Sequence, residues 1–153
     1  FLFRGVGLSF QEAAITMLGS NKENDKAIYK FAAVLGLTLA SALIITAITP
    51  LSKLWFSKVS GLSAELTGLA LTPLLIMGLF PASTVLISMQ RAILVKDGQT
   101  SPITNATIIE VLTIISVLYI SIIHLSAVGV VAAASAFLSG RLAANTYLYF
   151  KTR

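Results

Sequence analysis

Cysteine is absent and histidine occurs once in the 153 residues. The first absence excludes a disulfide framework, a thiolate nucleophile and a cysteine-ligated metal. The second leaves no histidine set for a metal site. Charge is scarce as well, with 11% of residues being Asp, Glu, Lys or Arg against about 25% in an ordinary soluble domain. A water-facing domain of this size needs more polar surface than that. Disorder is excluded from the opposite side, because unfolded chains combine low hydrophobicity with high charge. Phosphate-binding loops, nucleophile elbows and paired zinc histidines are also missing, so neither an ATP motor nor a hydrolase is indicated and no enzyme is expected.

What fills the chain is apolar: 56% of residues are hydrophobic and the mean hydropathy is +0.90. Lipid is the solvent this composition suits. The net charge of +5 is scattered between apolar blocks instead of forming a stripe, which speaks against nucleic acid as a partner and for positive charge at membrane borders. The chain opens at Phe1 on apolar residues, with no basic leader and no small-residue cleavage site. That pattern reads as a helix already under way, hence as a piece of a longer protein.

A bilayer core of about 30 Å requires about 20 mostly apolar helical residues. Five stretches meet or approach this, at about residues 1–18, 31–48, 66–87, 105–123 and 127–150. The expectation is an all-α, polytopic transmembrane bundle in a single membrane-embedded unit. The polar run from Gly19 to Lys26 ends the first span, and Thr49 with Pro50 ends the second. Residues 51–65 are too polar to span. They place Leu51, Leu54, Trp55 and Val59 at helical spacing, which predicts an interfacial segment. Pro73 and Pro81 predict a kink in the third span, closed by Gln90, Arg91 and the turn Lys96, Asp97, Gly98. Only His124, Leu125 and Ser126 separate the last two spans, which predicts an antiparallel pair.

Alternating the loops puts Lys22, Lys26, Lys30, Arg91, Lys96, Lys151 and Arg153 on one side and Arg4, Lys53 and Lys58 on the other. Seven against three assigns the first side, with the C-terminus, to the cytoplasm of a plasma or inner membrane. Helices in lipid associate by close approach across small residues. Ala132, Ala136, Gly140 and Ala144 form such a stripe on the fifth span, and Ala32, Gly36 and Ala40 a shorter one on the second.

Ionisable groups at membrane depth cost about 2.5 to 3.5 kcal/mol on insertion scales and call for a reason. Glu110 shares an arc of about 120° with Thr107, Thr113, Ser121 and His124, a face suited to a hydrated cavity; the alternative is an anchoring charge within reach of Arg91 or the headgroups. Glu12 lies on a strip with Ser9, Gln11 and Thr16, and Thr84, Ser88 and Arg91 share a face just after Pro81. Arg141 either snorkels or pairs with a carboxylate of a neighbouring helix. Glu12, Thr84, Ser88, Arg91, Thr107, Glu110 and Thr113 are therefore the candidate pathway residues. No resident cofactor or metal is expected, and proton or sodium coupling is open.

Two stretches resemble the repeat of the multidrug and toxic compound extrusion (MATE) proteins, within the wider superfamily of polysaccharide-exporting flippases. EAAITMLGSNKENDKAIYKF, Glu12 to Phe31, is similar to that repeat's second helix with the Gly-plus-charges loop and basic helix start that follow. PASTVLISMQRAILVKDGQTSPI, Pro81 to Ile103, is similar to its fourth helix and the pattern of Arg, Gly-Asp-Thr and Pro, with acid and glycine here in swapped order. AVGVVAAASAFLSG, Ala127 to Gly140, resembles the Gly-rich sixth helix, and 50–87 with the last two spans resembles the progressive ankylosis group of anion exporters. The resemblance implies the C-terminal lobe of a two-lobed, alternating-access carrier that expels a small organic or anionic substrate in exchange for protons or sodium, with an N-terminal lobe as partner. Some drug-extruding members carry an acid in the fourth helix, and Leu71 to Ile87 has none, so no cation site carries over. The rival readings are a lipid-linked saccharide flippase of the same architecture and a non-transporting membrane scaffold.

Overall fold

A computed structural model describes residues 2–18, 22–124 and 128–152, with side chains described from residue 5 in the first segment and from residue 26 in the second. The expectations placed on Arg4, on the loop residues 19–21, on 125–127 and on Arg153 lie outside these. All regular structure among the described residues is helical, without a strand: α1 (Leu2–Met17), α2 (Lys22–Ile48), α3 (Pro50–Leu54) continued by a π-helical turn (Trp55–Val59), α4 (Ala64–Ile76), a 3₁₀ turn (Met77–Leu79), α5 (Phe80–Lys96), α6 (Ser101–Ile123) and α7 (Gly129–Lys151).

Among the described residues, three segments are long and apolar enough to cross a membrane, Lys26–Ile48, Ala64–Lys96 and Ser101–Ile123. The other two of the five expected spans fall short for different reasons. α1 has 16 residues, about 24 Å at 1.5 Å per residue. α7 has the length, 23 residues, but Arg141 and Asn145 dilute its apolar content.

The helices also outrun the apolar runs that announce them. α2 begins at Lys22, not near Phe31, because Lys and Glu are good helix formers and a helix does not stop where hydrocarbon does. α5 likewise continues through Arg91 to Lys96 and ends at Gly98, whose φ of +69° suits only a residue without a side chain. Pro102 opens α6 from its first turn, where a missing N–H costs nothing. In the third span the break falls at Met77–Leu79, between the two prolines. Pro73 is tolerated within α4, and Pro81 sits in the first turn of α5. Gly78 at the break lies so close to α2 that a Cβ there would be 2.7 Å from Ile44 Cγ1.

α5 is the central helix, with 11 of its 17 residues buried. α1 packs along it through Phe10, Ala14, Val85, Met89 and Ala92. α2 runs antiparallel to α5, with Gly36 against Ala82 and Ile44 against Gly78. α7 runs parallel to α5, with Ala144 and Leu148 in one cluster with Ile87 and Leu94. α6 is antiparallel to α7, as Glu110 facing Arg141 and Asn105 facing Tyr147 require. The outer faces carry exposed Leu, Ile, Val and aromatic side chains such as Leu37, Ile108, Leu112 and Ile115. That arrangement suits hydrocarbon and not water. Leu51, Leu54, Trp55 and Val59 of the segment after Pro50 are exposed too.

Candidate functional site: a charge pair between α6 and α7

Glu110 is the tenth of the 23 residues of α6, and Arg141 the thirteenth of the 23 of α7. Each is therefore near the middle of its helix. Antiparallel packing brings them level, and Arg141 Nη2 lies 3.2 Å from Glu110 Oε1. The side chains are 7% and 12% exposed, respectively. Arg141 Cζ also sits 5.2 Å from the centroid of the Phe80 ring at the start of α5, a cation–π contact. A long arginine reaches both partners at once because its planar head offers edge donors to the carboxylate and a face to the ring.

The approach of the two helices depends on the residue before the arginine. Gly140 has no side chain, and a Cβ there would stand 2.6 Å from Ile114 Cγ1 and 2.9 Å from the Glu110 carbonyl oxygen. The small-residue stripe read from the sequence is buried along its length: Ala132, Ala136, Gly140 and Ala144 all lie in the interior. Gly140, within the stripe, and the charge pair are thus parts of one interface.

The remaining candidates fall in three places. Arg91 does not meet Glu110 and instead donates from Nη2 to Thr107 Oγ1 over a long 3.4 Å. Thr107 and Thr113 donate to the carbonyls of Ile103 and Ile109, one turn back in α6. Thr84 and Ser88 are fully buried in α5, where Thr84 donates to the Phe80 carbonyl and Ser88 Oγ has no hydrogen-bond partner among the described residues. Glu12 is exposed on the outer side of α1, apart from the pair, and its strip neighbours Ser9 and Thr16 bond back to carbonyls of their own helix. His124 is exposed at the end of α6, its ring 6.4 Å from that of Tyr119.

Sequence reasoning missed a second polar contact, between α5 and α7. Asn145 Nδ2 donates to the Ser83 carbonyl and Gln90 Nε2 to the Asn145 carbonyl, both at 3.0 Å and both buried. The available signal was spacing: Ser83 and Gln90 are seven residues apart on one face of α5, and Asn145 follows Arg141 by one turn. A groove of about 370 Å³ lies between α1 and α2, at Phe10, Ala14 and Phe31. Another of about 470 Å³ lies between α2, α5 and α7. Neither is lined by Glu110 or Arg141.

No family model, curated protein or solved structure matches the chain.

Proposed function

We propose that this chain is a membrane-embedded lobe of a secondary active transporter, in which Glu110 and Arg141 form a charge pair opened by an anionic or organic substrate or by a coupling proton. The observation that carries this reading is an Arg–carboxylate pair placed at mid-length of two helices, because an ionisable group inside an apolar helical bundle is costly and is by default a functional-site hypothesis, while a buried pair is weak evidence for stability. Protonation of Glu110, or an anion competing for Arg141, removes the attraction across α6 and α7 and so couples binding to helix separation. The MATE-like motifs support the same reading, with alternating access between this lobe and a second one, in a plasma or inner membrane with the C-terminus cytoplasmic. A flippase of that superfamily needs the same lobe with a saccharide-bearing lipid as cargo.

One observation favours a non-transporting scaffold: neither groove reaches the pair. The two readings separate in an assay. The full-length protein, reconstituted in vesicles with an imposed pH gradient, is tested for movement of ethidium and of fluorescein. Glu110→Gln keeps the shape and removes the charge. It is expected to lower the rate at least about tenfold, the loss of one proton-transfer or charge-stabilising group, with the amount of inserted protein unchanged. Equal rates in wild type and variant at every pH assign the pair to structure alone, and loss in Glu12→Gln only moves the site to α1.

A further inference from the structure

Between α2 and α4 the chain forms a helical segment, Pro50–Leu54 with Trp55–Val59, that the charge pair does not use. Corners set it off at both ends. Thr49 is extended (φ −92°, ψ 164°) before Pro50, and Gly61 at φ +68° takes a conformation that a side chain disfavours and turns the chain into α4. One side of the segment is held to the bundle. Ser52 is buried, with its hydroxyl donating to the carbonyls of Ala47 and Thr49 at 3.2 and 3.0 Å, and Phe56 is half-buried. The other sides are open: Leu51, Leu54, Trp55 and Val59 are 59%, 57%, 56% and 61% exposed. Lys53 and Lys58 are exposed as well, and neither pairs with a carboxylate among the described residues.

The π-helical turn sorts these side chains. At the 100° per residue of an α-helix, Lys58 falls in the middle of the apolar arc of Leu54, Leu51 and Trp55. The wider turn, closed by the Ser60 N–H on the Trp55 carbonyl at 2.8 Å, advances each residue by about 20° less. Lys58 thereby moves back to the edge of the arc, on the side of Lys53, and Val59 comes into line with Leu51. Depth follows from the neighbouring spans, since the apolar stretch Lys26–Ile48 ends just before the segment and Ala64–Lys96 begins just after it. Such a place, with a tryptophan on an apolar arc bordered by cations, belongs to the boundary between hydrocarbon and headgroups. We propose that this segment recruits anionic phospholipid: Leu51, Leu54, Trp55 and Val59 enter the boundary of heads and acyl chains, and Lys53 and Lys58 hold anionic heads around them. Unpaired lysines want a counter-ion, and a zwitterionic head offers a phosphate already balanced by its own ammonium. The bundle has to cross a membrane for this to hold but need not transport anything.

Trp55, the one tryptophan of these residues, is the reporter for the test. The full-length protein, with any tryptophan outside these residues replaced by phenylalanine, is placed in nanodiscs of equimolar phosphatidylglycerol and phosphatidylcholine, one or the other brominated near the carboxyl end of its acyl chains. Brominated phosphatidylglycerol is expected to quench Trp55 at least about threefold more than brominated phosphatidylcholine, within the factor of about five that one lysine contributes at an anionic surface. The double variant Lys53→Ser, Lys58→Ser, at exposed positions that cannot disturb the core, is expected to keep the quenching and to equalise the two lipids. No quenching by either lipid, as when an acidic stretch of protein covers the face, equal quenching in wild type, or a preference that survives the loss of both lysines each overturns the proposal.

Discussion

At the scale of the residue, the decisive position beside the charge pair is one without a side chain. Gly140 lets α7 approach the backbone of α6, and the atom that a Cβ would meet at 2.9 Å is the Glu110 carbonyl oxygen, which cannot rotate away. Gly140→Ala is therefore expected to destabilise by about 1–3 kcal/mol through overpacking, read as a melting temperature several degrees lower in detergent. Gly68→Ala is the contrast, since nothing lies within 4 Å of a Cβ there. In that open helical site alanine is expected to raise stability by about 0.5–1 kcal/mol. Equal effects of the two substitutions contradict the close approach. The four-residue spacing of the stripe was legible in the sequence, because small residues repeat on a helix face whatever they pack against. The partner of Glu110 was not, since Arg91 and Arg141 were both within plausible reach. The choice between them depends on how the helices pack, and the pattern along one helix does not encode that.

At the scale of the element, α5 holds the bundle together. It touches α1, α2 and α7 along most of its length, which is why its side chains are polar and buried at once. Ser83, Thr84, Ser88 and Gln90 are all in the interior, where an ordinary membrane span presents aliphatic residues to lipid. Asn145 couples it to α7 through two hydrogen bonds of 3.0 Å, one from its side chain and one to its carbonyl. Asn145→Ala removes the first and is expected to cost about 0.6–1.7 kcal/mol, the range for interhelical hydrogen bonds in membranes. Thr146→Ala, an exposed residue bonded only to its own helix, is expected to change stability by less than about 0.5 kcal/mol. Thermal unfolding of both variants checks this, and a loss at Thr146 as large as at Asn145 removes the special role of the contact. The sequence announced the kink in the third span through Pro73 and Pro81. It did not place the break at Met77–Leu79, where Gly78 accepts the close approach of Ile44, because that approach comes from α2.

At the scale of the whole molecule, the fold gathers basic residues at one end. α1, α5 and α7 run parallel and α2 and α6 against them, so Lys26, Lys30, Arg91, Lys96 and Lys151 share one end of the bundle and Lys53 and Lys58 belong to the other. All-helical architecture and membrane character were legible from the long apolar runs, since a chain so poor in charge has few other ways to satisfy its backbone in lipid. The number of crossings was less legible. α1 and α7 depend on packing against α5 more than on their own hydropathy. The central claim is that the bundle crosses the bilayer with the ends of α5 on opposite sides, which is what puts Glu110 and Arg141 at mid-depth. These 153 residues carry no cysteine, so the direct measurement uses single cysteines replacing Gln99, Thr152 and Ser60 in the full-length protein, with any cysteine outside these residues replaced by serine, labelled with a membrane-impermeant maleimide from each side of the membrane. Gln99 and Thr152 are expected to react only from the cytoplasmic side and Ser60 only from the opposite one; reaction of Gln99 and Ser60 from the same side contradicts the account.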